Sequence, residues 1–446
     1  LLDGYRLEHP ANQTWVDYCR AQLAFFHSQF EQARDMLGKL YGQSEIDLYL
    51  RANVVTSLAV LTQYQGKGDQ SIRLHEEGLQ TWRQLNDRAG LKRSLTNVGR
   101  IYRITRDWTR ANSILEECKL LAEEDNDQLE VGRILLNMGY IALYQGQWVD
   151  AEKYYLEALR IASRGADHYD SSKARMRLGQ LRVCENRSED AISFLRESVE
   201  EYKLTGELFG EGFAHNYLGD ALVKLKQWGE AAKELEDALA LFQSPRVNAR
   251  DRVGNVYHSF GNLHLEQRDY HAAERSYLQA IAIRRETKSL YYLPKSLIGL
   301  GLTALTFNRY ETLDNALNEA EVYALRYNDC YEMAKLRVVQ GHAHLHQGKP
   351  IDQVAILYEE AYKFALRFNG FVVRWVTSEI EQELGKIQQT DPAIAQQLLI
   401  AVLNKCRRIN FDGKTFSDAE TIANSRVPTL INAPQQTIGV LEKWLK

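Results

Sequence analysis

Apolar side chains recur along this chain three and four positions apart, as in Leu95, Val98, Ile101 and Tyr102 and again in Ala111, Leu115, Cys118 and Ala122. That spacing puts them on one stripe of an α-helix. Short polar breaks interrupt the stripes and return in step near Asn86-Asp87, Asn126-Asp127, Asp167-His168, Thr205-Gly206, Ser244-Pro245, Lys288-Ser289, Asn328-Asp329 and Asn369-Gly370. Glycines keep the same beat. Gly99, Gly139, Gly179 and Gly219 are evenly spaced, and after a single short slip the ladder continues at the same interval through Gly261, Gly301 and Gly341. Two helices fit in each period, and with 7 prolines in 446 residues they are expected to run uninterrupted. Self-similarity at such a period predicts stacked hairpins that bury their apolar faces against one another.

The residues at equivalent places sharpen this. One small position is filled by Ala21, Ala59, Gly99, Gly139, Gly179, Gly219, Gly261, Gly301 and Gly341, and a second, further along each repeat, by Ala33, Ser71, Ala111, Ala151, Ala191, Ala231 and Ala273. An aromatic follows the turn at Phe30, Trp108, Trp148, Trp228, Tyr270 and Tyr310. Small side chains at a crossing let helix axes approach closely, and the aromatics are expected to fill the wedge at the open end of each hairpin. This pattern resembles the tetratricopeptide repeat in its long form, as in kinesin light chains and the arrays of bacterial signalling ATPases. The resemblance implies an all-α fold, an α-α superhelix (solenoid) of about ten helical hairpins. Residues 1–410 are expected to form it, with clear repeats over about 15–370 and a divergent tenth over 371–406. Leu313 stands where alanine is expected, which predicts a splayed eighth hairpin. Residues 411–446 lose the periodicity and end in an amphipathic stretch, Thr437 to Leu445, read as a terminal cap or a docking segment.

Composition narrows the function. The 55 basic and 59 acidic residues leave a net charge of −4, which argues against a whole-surface binder of nucleic acid or lipid. The five cysteines lie far apart without a CxxC pair, so neither a disulfide framework nor a zinc site is indicated, and a cytoplasmic setting is expected. The longest wholly apolar stretch, Leu398 to Leu403, falls far short of the roughly 20 residues of a membrane span. The chain opens Leu1-Leu2-Asp3-Gly4 without a leader, and is expected to be a piece of something longer.

No catalytic constellation, cofactor motif or metal site is expected. Gly413-Lys414-Thr415 resembles the end of a phosphate-binding loop, but Arg408 replaces the first glycine that loop needs. His342 and His346 are one helical turn apart without a matched carboxylate, and are read as packing or surface histidines.

The best lead lies on the first helix of each repeat, which lines the inner surface of a tetratricopeptide superhelix. At one fixed place ahead of the glycines stand Arg93, Arg133, Lys173, Phe213, Asn255, Lys295 and Lys335. One turn onward come Asn97, Asn137 and Arg177, then Arg100 and Tyr140, with Arg103 beyond. Arg93, Asn97, Arg100, Arg103, Arg133, Asn137, Tyr140, Lys173 and Arg177 are therefore the expected ligand-binding residues. Asn97 and Asn137 resemble asparagines by which long-repeat arrays hold an extended peptide, an amide being both donor and acceptor. Arginine forks add directional contacts to a carboxylate. The competing reading is that these bases merely pair with acids such as Asp127 and Glu130 of the neighbouring turn.

The sequence thus leads to a non-catalytic module that binds an acidic protein segment or another anion in a concave groove. The resemblance implies the ligand-sensing part of a larger bacterial signal-transduction ATPase, docked to an N-terminal nucleotide-binding domain. A free-standing peptide-binding adaptor is the alternative, and a regulatory repeat region of an enzyme with its catalytic domain elsewhere is a further one.

Overall fold

A computed structural model of the protein describes residues 10–26, 29–64 and 68–406. The expected segment 411–446 lies outside these, as do Gly413 and Arg408. The described residues form twenty α-helices and no strand. In chain order they are α1 (Pro10–Phe26), α2 (Phe30–Tyr41), α3 (Leu48–Tyr64), α4 (Gly68–Leu85), α5 (Arg88–Ile104), α6 (Trp108–Glu124), α7 (Gln128–Tyr144), α8 (Trp148–Arg164), α9 (His168–Cys184) and α10 (Ser188–Thr205). There follow α11 (Leu208–Lys224), α12 (Trp228–Gln243), α13 (Arg250–Glu266), α14 (Tyr270–Glu286), α15 (Leu293–Thr306), α16 (Tyr310–Arg326), α17 (Cys330–His346), α18 (Ile351–Phe368), α19 (Gly370–Thr390) and α20 (Pro392–Cys406). None is long and apolar enough to cross a membrane.

Helices α5 to α9 share one length because the turns between them are made the same way. One residue at each turn has positive φ, at Asn86, Arg106, Asn126, Gly146, Ala166, Asn186, Gly206 and Lys226, so turns recur at half the interval of the ladder glycines. The backbone swings out of the helix through this left-handed residue, a conformation glycine and asparagine tolerate best. Where the next residue is an aspartate, its side chain caps the new helix. Asp87 accepts from the Gly90 amide at 2.9 Å, Asp127 from Glu130 at 3.2 Å and Asp167 from Asp170 at 3.0 Å. After Lys226 the next left-handed residue is Asn248, slightly later than that interval would place it. The slip in the glycine ladder is therefore housed in the loop after α12, around Pro245.

Within a hairpin the ladder glycines receive a large side chain from the second helix. A Cβ at Gly139 would lie 2.5 Å from the Tyr155 ring, and Leu115, Leu195, Leu235, Tyr277, Leu317 and Tyr358 occupy the same place opposite Gly99, Gly179, Gly219, Gly261, Gly301 and Gly341. Each of these knobs follows its glycine at the same separation, except that Tyr358 comes one position later, where the ninth repeat carries its extra residue. The second small position, Ala111, Ala151, Ala191, Ala231 and Ala273, is fully buried. Leu313 is also fully buried, and α15 and α16 pack directly against each other. Of the repeat aromatics, Trp148 is buried against Phe368 and Phe371, whereas Trp228 is 37% exposed.

The chain divides into two compact units. One holds the chain up to Tyr144 with Val149–Asp170, the other Gln145–Trp148 with the chain from Ser171 onward. In the second unit each odd-numbered helix from α11 also packs against the next odd-numbered one, through α13, α15 and α17 to α19, as α5 does against α7 in the first. Within each unit the first helices of the hairpins thus make the tighter layer, which is the inner side of the stack.

Candidate functional site

In the first unit, α5 carries Arg93, Asn97, Arg100 and Arg103, and α7 carries Arg133, Asn137 and Tyr140. Three of the expected cations are anchored by neighbours. Arg93 donates to Asn53 at 3.2 Å and lies 5.4 Å from the Trp82 ring. Arg103 stacks on Tyr140 at 4.2 Å, which brings two expected residues together, and Tyr140 packs on Tyr144 at 4.5 Å. Arg133 is held by Asp170 at 2.8 Å, with Asp167 at 3.5 Å and Glu130 at 3.7 Å. The amide of Asn137 donates to the Arg133 carbonyl at 2.9 Å, one turn back on its own helix. Asn97 and Arg100 are half-buried.

In the second unit, Lys173 and Arg177 are half-buried on α9, and Arg177 donates to Gln180 at 2.7 Å. A larger polar group lies further along the inner layer, on α11, α13, α15 and α17. Arg284 reaches it from α14. This guanidinium is fully buried and is held by Ser296 and by Asn255 Oδ1 at 3.2 Å, with no carboxylate within ion-pair distance among the described residues. The Ser296 hydroxyl, which accepts from Arg284, also lies 3.2 Å from His258 Nδ1. Burial, and then the Lys295 charge, keep His258 neutral well below the ordinary imidazole range. Burial likewise drops Arg284 to about 9.

Lys295 Nζ lies 5.1 Å from the Tyr292 ring. Burial, reinforced by Arg284, brings its ammonium down to about 7. Lys335 is 4.2 Å from the Tyr331 ring and 3.9 Å from Glu332. Burial opposes its charge too, but Glu332 outweighs that and holds it above the usual range. Burial raises the carboxyls of Asp220 and Glu332, and each keeps one buried oxygen, Oδ1 and Oε2, without a hydrogen-bond partner among the described residues. Cys184 borders the same space, where the surrounding protein pushes its thiol up to about 11. Lys295 and Lys335 fall at the repeat position already singled out in the sequence. Arg284, Asp220 and Glu332 do not, and only Arg284 leaves a trace there: it occupies the apolar-stripe place held by Ala122, Ala162, Tyr202, Phe242 and Ala324 in other second helices.

The histidine group on α17 behaves as packing and pairing. His342 lies edge-on to Tyr358 and is lowered to about 4 by burial, while His346 contacts Glu383 at 3.0 Å.

A tetratricopeptide repeat model matches residues 130–203 and 212–286. No curated protein matches the chain. Solved structures do. The apo form of the quorum sensor NprR from B. thuringiensis is 14% identical, with a TM-score of 0.51 over 80% of this chain and 99% of that one. Aspartyl phosphate phosphatase F from Bacillus subtilis is 14% identical, with a TM-score of 0.50 over 82% and 95%. The Rap conjugation gene regulator of plasmid pLS20, in complex with a Phr peptide, is 12% identical, with a TM-score of 0.50 over 71% and 97%. At such identities the likeness is one of fold. The matched segments carry tetratricopeptide repeats, and the glycine ladder and its hairpins continue on either side of them.

Proposed function

We propose that this chain is a non-catalytic, cytoplasmic binding module that holds an extended peptide segment, acidic in part, along the inner layer of its first helices. The observation that carries this reading is a set of charged groups in the second unit, Arg284 buried and the others half-buried, whose hydrogen-bonding capacity is not fully met. Arg284 and Lys295 have no carboxylate within ion-pair distance among the described residues, and Asp220 and Glu332 each hold an oxygen without a donor. Leaving charge and lone pairs desolvated and unsatisfied is costly. An extended chain relieves both costs, its carboxylates meeting the cations and its amide N–H groups meeting the orphan oxygens. The regulator solved with a Phr peptide has a similar fold, which supports a peptide as the ligand class. Arg93, Asn97, Arg100, Arg103, Arg133, Asn137, Tyr140, Lys173 and Arg177 are proposed as further ligand contacts, each within its own unit.

Selection of decapeptides from a random library on the full chain, followed by anisotropy titration of the selected peptide, tests this. Lys173→Gln and Lys295→Gln, both in the second unit, should each weaken it about tenfold or more, the loss of one charge-assisted hydrogen bond. Selection of no peptide, or equal affinity in both variants, overturns the proposal. Arg133→Glu is a poor probe because it would set a fourth carboxylate among Asp170, Asp167 and Glu130.

Within this reading we place the module as the sensing part of a larger signalling ATPase. In a chain where a nucleotide-binding domain precedes it, the selected peptide should change the rate of ATP hydrolysis. An unchanged rate would favour the free-standing adaptor.

A further inference from the structure

A second polar group in the second unit lies away from the peptide-binding charges, between α11 and α12. His215 is buried at the place that Leu95, Leu135 and Leu297 fill with hydrocarbon in other repeats, one turn before the ladder glycine. Its two ring nitrogens face carboxylates on opposite sides. Nδ1 is 2.5 Å from Glu234 Oε2 on α12, and Nε2 is 3.7 Å from Glu211 Oε1, one turn back on α11. Asp237 stands one turn beyond Glu234, and ligand atoms of His215, Glu234 and Asp237 all lie within 4.8 Å of one another.

Charge is what makes this group unlike an ordinary surface cluster. Glu211 and Glu234 are largely buried, and neither they nor Asp237 have a lysine or arginine within ion-pair distance among the described residues. Three carboxylates around one imidazole call for a cation, and the imidazole's own proton supplies a single charge. The spacing fits a metal: two carboxylates one turn apart on α12 and the imidazole facing them from α11 converge on a point between the helices. Imidazole with carboxylates suits Zn²⁺ among the divalent ions. A ligating histidine also needs an acceptor for its other ring N–H, and Glu211 lies on that side.

We infer that His215, Glu234 and Asp237 form a Zn²⁺ site between α11 and α12, with Glu211 orienting the imidazole from outside the coordination sphere. Nδ1 and the two carboxylates ligate the ion, and the proton shared between Nδ1 and Glu234 is released to solvent on binding. The ion ties the two helices of one hairpin together and raises the stability of that hairpin.

Titration of the metal-free full chain with Zn²⁺ is expected to show one ion bound per chain, a raised melting temperature and proton release. Co²⁺ in its place should give a visible d–d band. Asp237→Asn should weaken Zn²⁺ roughly tenfold or more, and His215→Gln should abolish the Co²⁺ band. The absence of stoichiometric Zn²⁺ binding to the wild type overturns the inference and leaves His215 as a bridge between Glu211 and Glu234. Unchanged affinity in Asp237→Asn overturns it as well. If circular dichroism shows that His215→Gln has lost its helices, Asp237→Asn decides. Failure here leaves the peptide reading untouched, since none of these residues belongs to it.

Discussion

His75 on α4 is almost wholly enclosed, and neither ring nitrogen finds a hydrogen-bond partner among the described residues. Burial, with the Arg100 charge behind it, drops its pKa to about 4. The unfolded chain binds this proton near 6.5 and the folded chain refuses it until about 4, so the contribution to stability is intact above pH 6.5 and lost as pH falls to 4. His75→Leu should therefore flatten the stability of the first unit over that window by roughly 3 kcal/mol, as read from urea unfolding at pH 7 and pH 4. At pH 7 it should stabilise, because two unsatisfied nitrogens leave the core. An unchanged pH profile would contradict the assignment. Residues of this kind mark where sequence reading stops. The arginines of α5 and α7 are legible as a repeat position, but whether a guanidinium meets a ligand or a neighbour's carboxylate depends on helices of the next repeat, as Arg133 and Asp170 show. His215 gives no signal in sequence because Glu234 and Asp237 lie on the facing helix, while His342 and His346 draw notice by sharing one turn. Arg284 is visible in principle, as a charge on an otherwise apolar stripe.

At the scale of the helix the sequence is more explicit, because turns and crossings are local. Asn86-Asp87, Asn126-Asp127 and Asn328-Asp329 are a left-handed residue followed by a helix cap, and each marks a boundary. The ladder glycine predicts close approach of helix axes, and the structure adds its partner, one specific knob on the second helix of the same hairpin. Two alanine substitutions should accordingly have opposite signs. In Gly139→Ala the new methyl meets the Tyr155 ring at 2.5 Å, and overpacking of this sort costs about 1–3 kcal/mol. In α2, a methyl at Gly38 meets nothing within 4 Å, so Gly38→Ala should gain roughly 0.5–1 kcal/mol from helix propensity alone. Denaturant midpoints of the two variants against wild type check the pair, and a destabilised Gly38→Ala would show that α2 packs more closely than described.

In the whole molecule, coupling between hairpins is mostly between sequence neighbours. Arg83 pairs with Glu117, Arg196 with Glu230 and Arg285 with Glu319, each joining one second helix to the second helix of the next hairpin. These pairs are exposed and worth at most about 1 kcal/mol each, so the buried knobs and stripes supply most of the cohesion. An array held by neighbour contacts responds to damage locally, and its cooperativity ends where those contacts thin. The division at Asp170 and Ser171 is such a place. Native-state hydrogen exchange in rising denaturant should therefore give different opening free energies for peptides from α6–α7 and from α15–α18. Gly139→Ala should lower the first set by its full cost and leave the second within about 0.5 kcal/mol, as expected for sites that share no partner. If both sets fall together, the two units unfold as one and the boundary at Ser171 has no energetic meaning. If only the first falls, ligand energy at Lys295 and Arg284 can order the second unit without passing through the first.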